Sequence, residues 1–235
     1  LGMSDNWNSY AKKINDKGFQ IHLLDQRNHG ESFHSEEFNY EILSNDLKYY
    51  IDYHQIKNFS LIGHSLGGKT AMMFASTYPN TVKKLIVVDI LPIYYKNDYE
   101  NILQSLKSLD FKSISSRLDA DKALSIFIQD QSFRSFLLKN LKRVSKDKLT
   151  FKIDLDIISD NLSEVEKALP RDLYFPGETL FIKGQKSDYI DNQKFKIIHN
   201  NFPKSRLVEV SNAGHWVHAE NLNDFAEETL YFLKS

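Results

Sequence analysis

The 235 residues contain no cysteine, which excludes a disulfide framework, a thiolate nucleophile and a Cys-ligated zinc site. No run approaches the ~18 apolar residues of a membrane-spanning helix, and nothing resembles a signal peptide. Neither sign of charge is in excess: 30 Lys and Arg face 31 Asp and Glu, for a formal net charge of −1. Such a balance provides no long-range attraction for nucleic acid or an anionic membrane and points instead to a small-molecule partner. A cytoplasmic location fits the missing cysteine. Glycine is scarce, at nine residues, so any cluster of glycines needs a reason.

What is present reads as one domain with an insertion. A chain of this length buries roughly 70–75% of the surface its unfolded form exposes, enough for a core without metal or disulfide support. Short β-rich apolar runs at 19–25, 58–64, 83–89, 179–184 and 205–211 alternate with segments of helical period, the pattern of a parallel sheet with crossover helices. Leu43, Leu47, Tyr50 and Ile51 form one apolar helical face, and Leu222, Phe225, Ala226, Leu230 and Leu233 another. From Pro92 to about Pro170 only helical patterns appear, such as YENILQSLKSL and SFRSFLLKNLKRV. The expected organisation is a core of residues 1–91 and 171–235 with a helical cap inserted at 92–170.

Three glycines fall within LIGHSLGGKT, residues 61–70. A strand ending in Gly63-His64-Ser65-Leu66-Gly67 and running directly into a helix matches the G-x-S-x-G nucleophile elbow in sequence and in context. The sharp turn holds the serine in a strained conformation, and its neighbours must lack side chains for strand and helix to approach. Ser65 is therefore the candidate nucleophile. The Leu66 backbone N–H, at the helix start, is a candidate donor to an oxyanion.

A serine hydroxyl needs a base. In chain order the base follows the last strand, and His215 in SNAGHWVHAE stands there. His218, the nearest rival, reads as a helix-start residue packed beside the site. Two aspartates qualify to orient the imidazole: Asp89 at the end of strand 83–89, and Asp188 in the loop GQKSDYI after strand 179–184. His64 and Trp216 flank the serine and the base and are candidate pocket residues.

With these residues assembled, the chain resembles the α/β-hydrolase serine esterases. More narrowly, it resembles the branch that contains the bacterial esterase YbfF and mammalian abhydrolase domain-containing protein 11. The matching stretches are SDNW (4–7), LLDQRNHGES (23–32), IGHSLGGKTAM (62–72), LIVVDILP (85–92) and AGHWVHAE (213–220). The resemblance implies an α/β-hydrolase fold, Ser65 as nucleophile, His215 as base and Asp89 in preference to Asp188 as the acid. In many other members of the superfamily the acid stands three residues beyond a glycine; counted from Gly184, that place holds Ser187. The resemblance also implies that two or three N-terminal strands precede Leu1, together with the His-Gly turn that provides the second oxyanion donor. The implied activity is hydrolysis of short to medium acyl esters through an acyl-enzyme, with no metal or other cofactor. Thioester hydrolysis, a lyase or C–C bond cleavage on the same fold, and a ligand receptor with vestigial turnover are the alternatives.

Other motifs read as structural. DQRNHGES (25–32) lacks metal-ligand spacing and reads as a turn in which Gly30 supplies an unusual backbone angle. DLDIISD (154–160) lacks the glycine and glutamate of a calcium loop. Arg134, Lys139, Lys142, Arg143 and Lys146 are expected on the outer face of one cap helix.

Overall fold

The computed structural model describes residues 1–96, 99–145 and 148–235. The chain forms two compact units, one of residues 7–22, 39–95 and 167–235 and the other of residues 1–6, 23–38 and 96–166. Among the described residues the strands are β1 (Phe59–His64), β2 (Val82–Val88), β3 (Leu141–Ser145), β4 (Lys148–Phe151), β5 (Glu178–Gly184) and β6 (Ser205–Val210).

The first of these units holds a parallel sheet in the order β1-β2-β5-β6. Strand β2 is a nearly continuous apolar run, as a strand covered on both faces should be, and Leu85 to Val88 are fully buried. Its one buried cation, Lys84, is compensated: its Nζ donates to the Phe232 carbonyl at 2.7 Å and lies 3.2 Å from Glu178 Oε2. Helix Leu66–Thr77 connects β1 to β2, the crossover that parallel neighbours require. Helix Tyr40–Tyr53 begins at Asn39, whose side chain accepts from the Ile42 N–H at 2.9 Å, an N-cap of the ordinary kind. The terminal helix, Leu222–Lys234, buries Phe225, Ala226 and Phe232. Tyr10 ties helix Asn8–Ile14 to it through a 2.9 Å hydrogen bond to Thr229. Ile86, Val88, Leu180, Ile182, Val210 and Phe225 are central to the resulting core.

The run at 19–25 alternates between half-buried and exposed residues but is not a strand. An extended segment becomes one only when a neighbour takes up its backbone groups, and among the described residues β1 pairs with β2 alone.

The other unit is the inserted, mainly helical region with two short segments from earlier in the chain. It departs from the all-helical expectation. Helices Tyr99–Lys107, Arg117–Leu124 and Gln131–Leu137 form, but the last stops where Asn140 turns its side-chain amide onto the Leu137 carbonyl at 3.1 Å. Beyond it β3 and β4 pair antiparallel. The basic residues thus share no helix face. Arg134 is buried against Asp121 at 2.8 Å, Lys142 reaches Glu31 at 3.0 Å, Arg143 donates to the Ser115 carbonyl, and Lys146 lies outside the described residues.

In the same unit Gly30 sits at φ 58°, where a Cβ would lie 2.2 Å from the Asp25 carboxylate. Asp25 in turn accepts from the Ser4 and Glu31 N–H groups. Asp154 caps helix Leu155–Asp160. Among the described residues no helix is long and apolar enough to cross a membrane.

Candidate active site

The register His64 to Val88 sets the next residues, Ser65 and Asp89, side by side at the C-terminal edge of the sheet, where open α/β sheets place their ligands. Both have φ of 52°, a conformation that costs a non-glycine residue about 1–3 kcal/mol. At Ser65 the strain is held by backbone bonds: its N–H donates to the Val88 carbonyl at 3.1 Å, and its carbonyl accepts from Lys69 N–H at 3.0 Å. The glycines make room for the turn. A Cβ on Gly63 would lie 2.2 Å from the Gly67 carbonyl oxygen, and one on Gly68 would lie 2.6 Å from Ile90. Helix 66–77 therefore starts directly behind the serine, with the first-turn N–H groups, Leu66 among them, lacking partners inside the helix.

Asp89 is fully buried. Its N–H donates to the Ile182 carbonyl at 2.8 Å, which anchors the bend to β5. The carboxylate is satisfied by three donors: Gly184 N–H on Oδ1 at 3.2 Å, and both the Ser187 hydroxyl and His215 Nδ1 on Oδ2, the latter at 2.8 Å. Without such donors, burying a carboxyl group is costly.

His215 stands in the loop between β6 and the short helix Val217–Glu220. Gly184 admits this loop, since a Cβ there would lie 2.1 Å from the Gly214 carbonyl oxygen. Lys186 N–H donates to the Ala213 carbonyl at 2.8 Å, while Glu220 accepts from Gly214 N–H at 2.8 Å and Trp216 N–H at 3.1 Å. His64 Nε2 donates to the His215 carbonyl at 2.7 Å. Burial above all, and then the neighbouring His215 and His218, hold the pKa of His64 well below the usual imidazole value, so this donor is a neutral ring. With Nδ1–H given to Asp89, His215 keeps Nε2 as its lone-pair nitrogen. Nε2 is buried and has no hydrogen-bond partner, so the Ser65 hydroxyl is not bonded to it in this conformation.

The structure therefore brings Ser65, Asp89, His215 and His64 to one sheet edge within one unit. Trp216 packs beside His64, with ring centroids 4.9 Å apart. His218 is buried, stacked on Trp7 at 4.2 Å. Asp188 is exposed. Ser187, its neighbour, is the site residue that the sequence did not single out for a role. Its signal was positional: a short hydroxyl three residues past Gly184, close enough to serve an acid contributed by another strand. Among the described residues no three His, Cys, Asp or Glu side chains form a group that could hold a metal ion.

Comparison with known proteins gives a consistent family assignment. Residues 1–222 match the family described as alpha/beta hydrolase fold. An abhydrolase domain-containing protein of Schizosaccharomyces pombe is 36% identical, covering 100% of this chain and 89% of its own. An sn-1-specific diacylglycerol lipase of Mus musculus is 33% identical over 99% of this chain and 78% of its own length. A solved structure, a marine microorganism esterase, superposes with a TM-score of 0.94 at 38% identity, over 98% of this chain and 91% of that one.

Proposed function

From the premise that the chain belongs to the alpha/beta hydrolase fold family, we propose that it is a serine hydrolase of carboxylic esters that works through Ser65, His215 and Asp89. Within the family we assign it to the branch of YbfF and abhydrolase domain-containing protein 11. The division into a hydrolase core (1–91 and 171–235) and a cap (92–170) belongs to the same reading. The observation that carries the proposal is the 2.8 Å bond from His215 Nδ1 to buried Asp89, which leaves Nε2 as the basic nitrogen.

In the first half-reaction the Ser65 oxygen attacks the acyl carbonyl while His215 Nε2 takes its proton. The Asp89 carboxylate stabilises the imidazolium so formed. The Leu66 N–H donates to the developing oxyanion, an interaction whose loss costs about 10²–10³ in turnover in enzymes of this kind. Collapse of the tetrahedral intermediate breaks the ester C–O bond, and His215 returns the proton to the leaving alcohol. Water, deprotonated by the same nitrogen, then cleaves the acyl-enzyme to release the carboxylic acid and restore Ser65. No step draws on a cofactor.

Short to medium acyl esters are the proposed substrates. The relative named a diacylglycerol lipase makes the sn-1 ester of a diacylglycerol a specific member of the test panel. Thioesters are the second class. The reading is tested by turnover of nitrophenyl esters from acetate to decanoate, of a diacylglycerol and of an acyl thioester, by wild type and Ser65→Ala. Hydrolysis of esters by wild type alone is the expected result; equal rates for the two proteins, or no ester turnover at all, would overturn it.

A further inference from the structure

One hydrogen bond to Asp89 does not fix the plane of the His215 ring, because the imidazole can still rock about that axis. The restraint comes from aromatic rings. Tyr189 lies face-on against His215, with centroids 4.0 Å apart and planes 20° from parallel. Tyr95 continues the stack on Tyr189 at 5.3 Å and 28°. His64 closes on His215 from 4.5 Å at 48°.

The stack is itself anchored at both ends of the Tyr189 backbone. Its N–H donates to Ser187 Oγ at 3.3 Å, the same hydroxyl that donates to Asp89. Its carbonyl accepts from the Tyr95 hydroxyl at 2.7 Å, and that hydroxyl accepts from Leu91 N–H at 3.1 Å. Burial raises the Tyr95 pKa well above the usual phenol value, so the hydroxyl remains a donor throughout the range in which an esterase works. Behind Tyr95 the Nζ of buried Lys69 lies 5.4 Å from its ring centroid and donates to the Lys167 carbonyl at 2.6 Å.

We infer that Tyr189, backed by Tyr95, is a positioning residue that holds the His215 imidazole in the plane needed for proton transfer; the inference rests on the esterase reading above. The same geometry favours the charged intermediate, because the face of an aromatic ring carries the negative part of its quadrupole and attracts a cation laid against it. Nothing in the residue order announces this role, since Tyr95 and Tyr189 lie 94 residues apart.

The test compares Tyr189→Leu, which keeps an apolar side chain but removes the ring face, with Tyr189→Phe, which keeps the face. On nitrophenyl butyrate the Leu variant should lower kcat about five- to thirtyfold, the range that a cation–π contact of ordinary strength implies. KM should stay within about twofold, because the ring acts through His215 and not on the bound ester. The Phe variant should recover most of the loss. A proton NMR spectrum supplies the second readout: the low-field Nδ1–H signal of His215 should be sharp in wild type and Tyr189→Phe and broadened in Tyr189→Leu. Should the Leu variant fold poorly, Tyr95→Leu removes the backing ring instead and should move both readouts in the same direction. Wild-type kcat and a sharp signal in the Leu variants would overturn the inference, as would equal losses in Leu and Phe. If wild type hydrolyses no ester, the catalytic reading fails, while the NMR signal still decides whether the stack holds the ring.

Discussion

Ser187 and Asp89 are joined by a buried hydrogen bond on Oδ2, the same carboxylate oxygen that His215 Nδ1 reaches at 2.8 Å. The hydroxyl therefore fixes the lone pair left to the imidazole. Ser187→Ala removes one of three donors from a buried carboxylate, and a hydrogen bond to a charged group is worth about 1.5–3 kcal/mol. Turnover should fall about tenfold or more with little change in KM, as steady-state kinetics on a nitrophenyl ester would show. An unchanged kcat would mean that Gly184 and His215 suffice to hold the carboxylate.

Asp89 and Asp188 separate cleanly in the structure, one fully buried against His215 and the other exposed. Asp89→Asn should lower kcat by about 10⁴, because the amide favours the wrong imidazole tautomer. Asp188→Asn should leave it near the wild-type value. Parallel kinetics on the two variants check this, and a crippled Asp188→Asn enzyme would reassign the acid.

Gly184 lets the loop bearing His215 cross the end of β5. Gly184→Ala would set a Cβ 2.1 Å from the Gly214 carbonyl oxygen, a clash with backbone that no rotamer relieves. Overpacking of this kind costs about 1–3 kcal/mol, or a fall in Tm of about 2–4 °C per kcal/mol for a chain of this size. Activity should fall further than the lost folded fraction explains, since the relief moves His215. Calorimetry and kinetics on one preparation measure both.

Two buried histidines tie stability to pH. Burial lowers the pKa of His29 to about 3, and His64 is likewise held well below the usual value. Above pH 6.5 both are neutral whether folded or unfolded, and there is no linkage. Below it the unfolded chain binds protons that the folded one refuses, so stability falls with pH by up to about 1.4 kcal/mol per unit for each group. For His29 that window runs from 6.5 down to about 3. Urea midpoints should therefore drop steadily from pH 7 to pH 5, and His64→Gln should flatten the slope. A midpoint independent of pH over that interval would contradict the burial of these rings.

Most of the fold was legible because parallel strands buried on both faces leave short apolar runs, as in LIVVD and TLFIKG, and helices leave a period of 3.6. The run at 19–25 has the same local pattern yet forms no strand, since pairing is decided by a neighbour and not by the segment itself. The antiparallel pair β3 and β4 was hidden for a related reason. Leu137, Leu138 and Leu141 are buried in the structure, and they satisfy a helical period just as well. Only the Asn140 amide marks where the helix ends.

In the candidate site, glycine placement and chain order single out Ser65 and His215, which the structure sets at one sheet edge. The residues packed and hydrogen-bonded around them were not legible. Ser187, Tyr189 and Tyr95 make their contacts between segments 94 and 98 positions apart, and a single sequence carries no record of such distances; His64 was read as a pocket residue, and its bond to the His215 carbonyl across 151 positions was not.

The central claim is that the hydroxyl of Ser65 is the atom that accepts the acyl group. Treatment of the intact protein with a fluorophosphonate, followed by mass spectrometry of its peptides, tests this most directly. The account predicts one adduct per chain, on the peptide carrying Ser65, with ester turnover lost in step with labelling and lowered about 10⁶-fold in Ser65→Ala. An adduct on another residue, or ester turnover that survives complete labelling of Ser65, would contradict it.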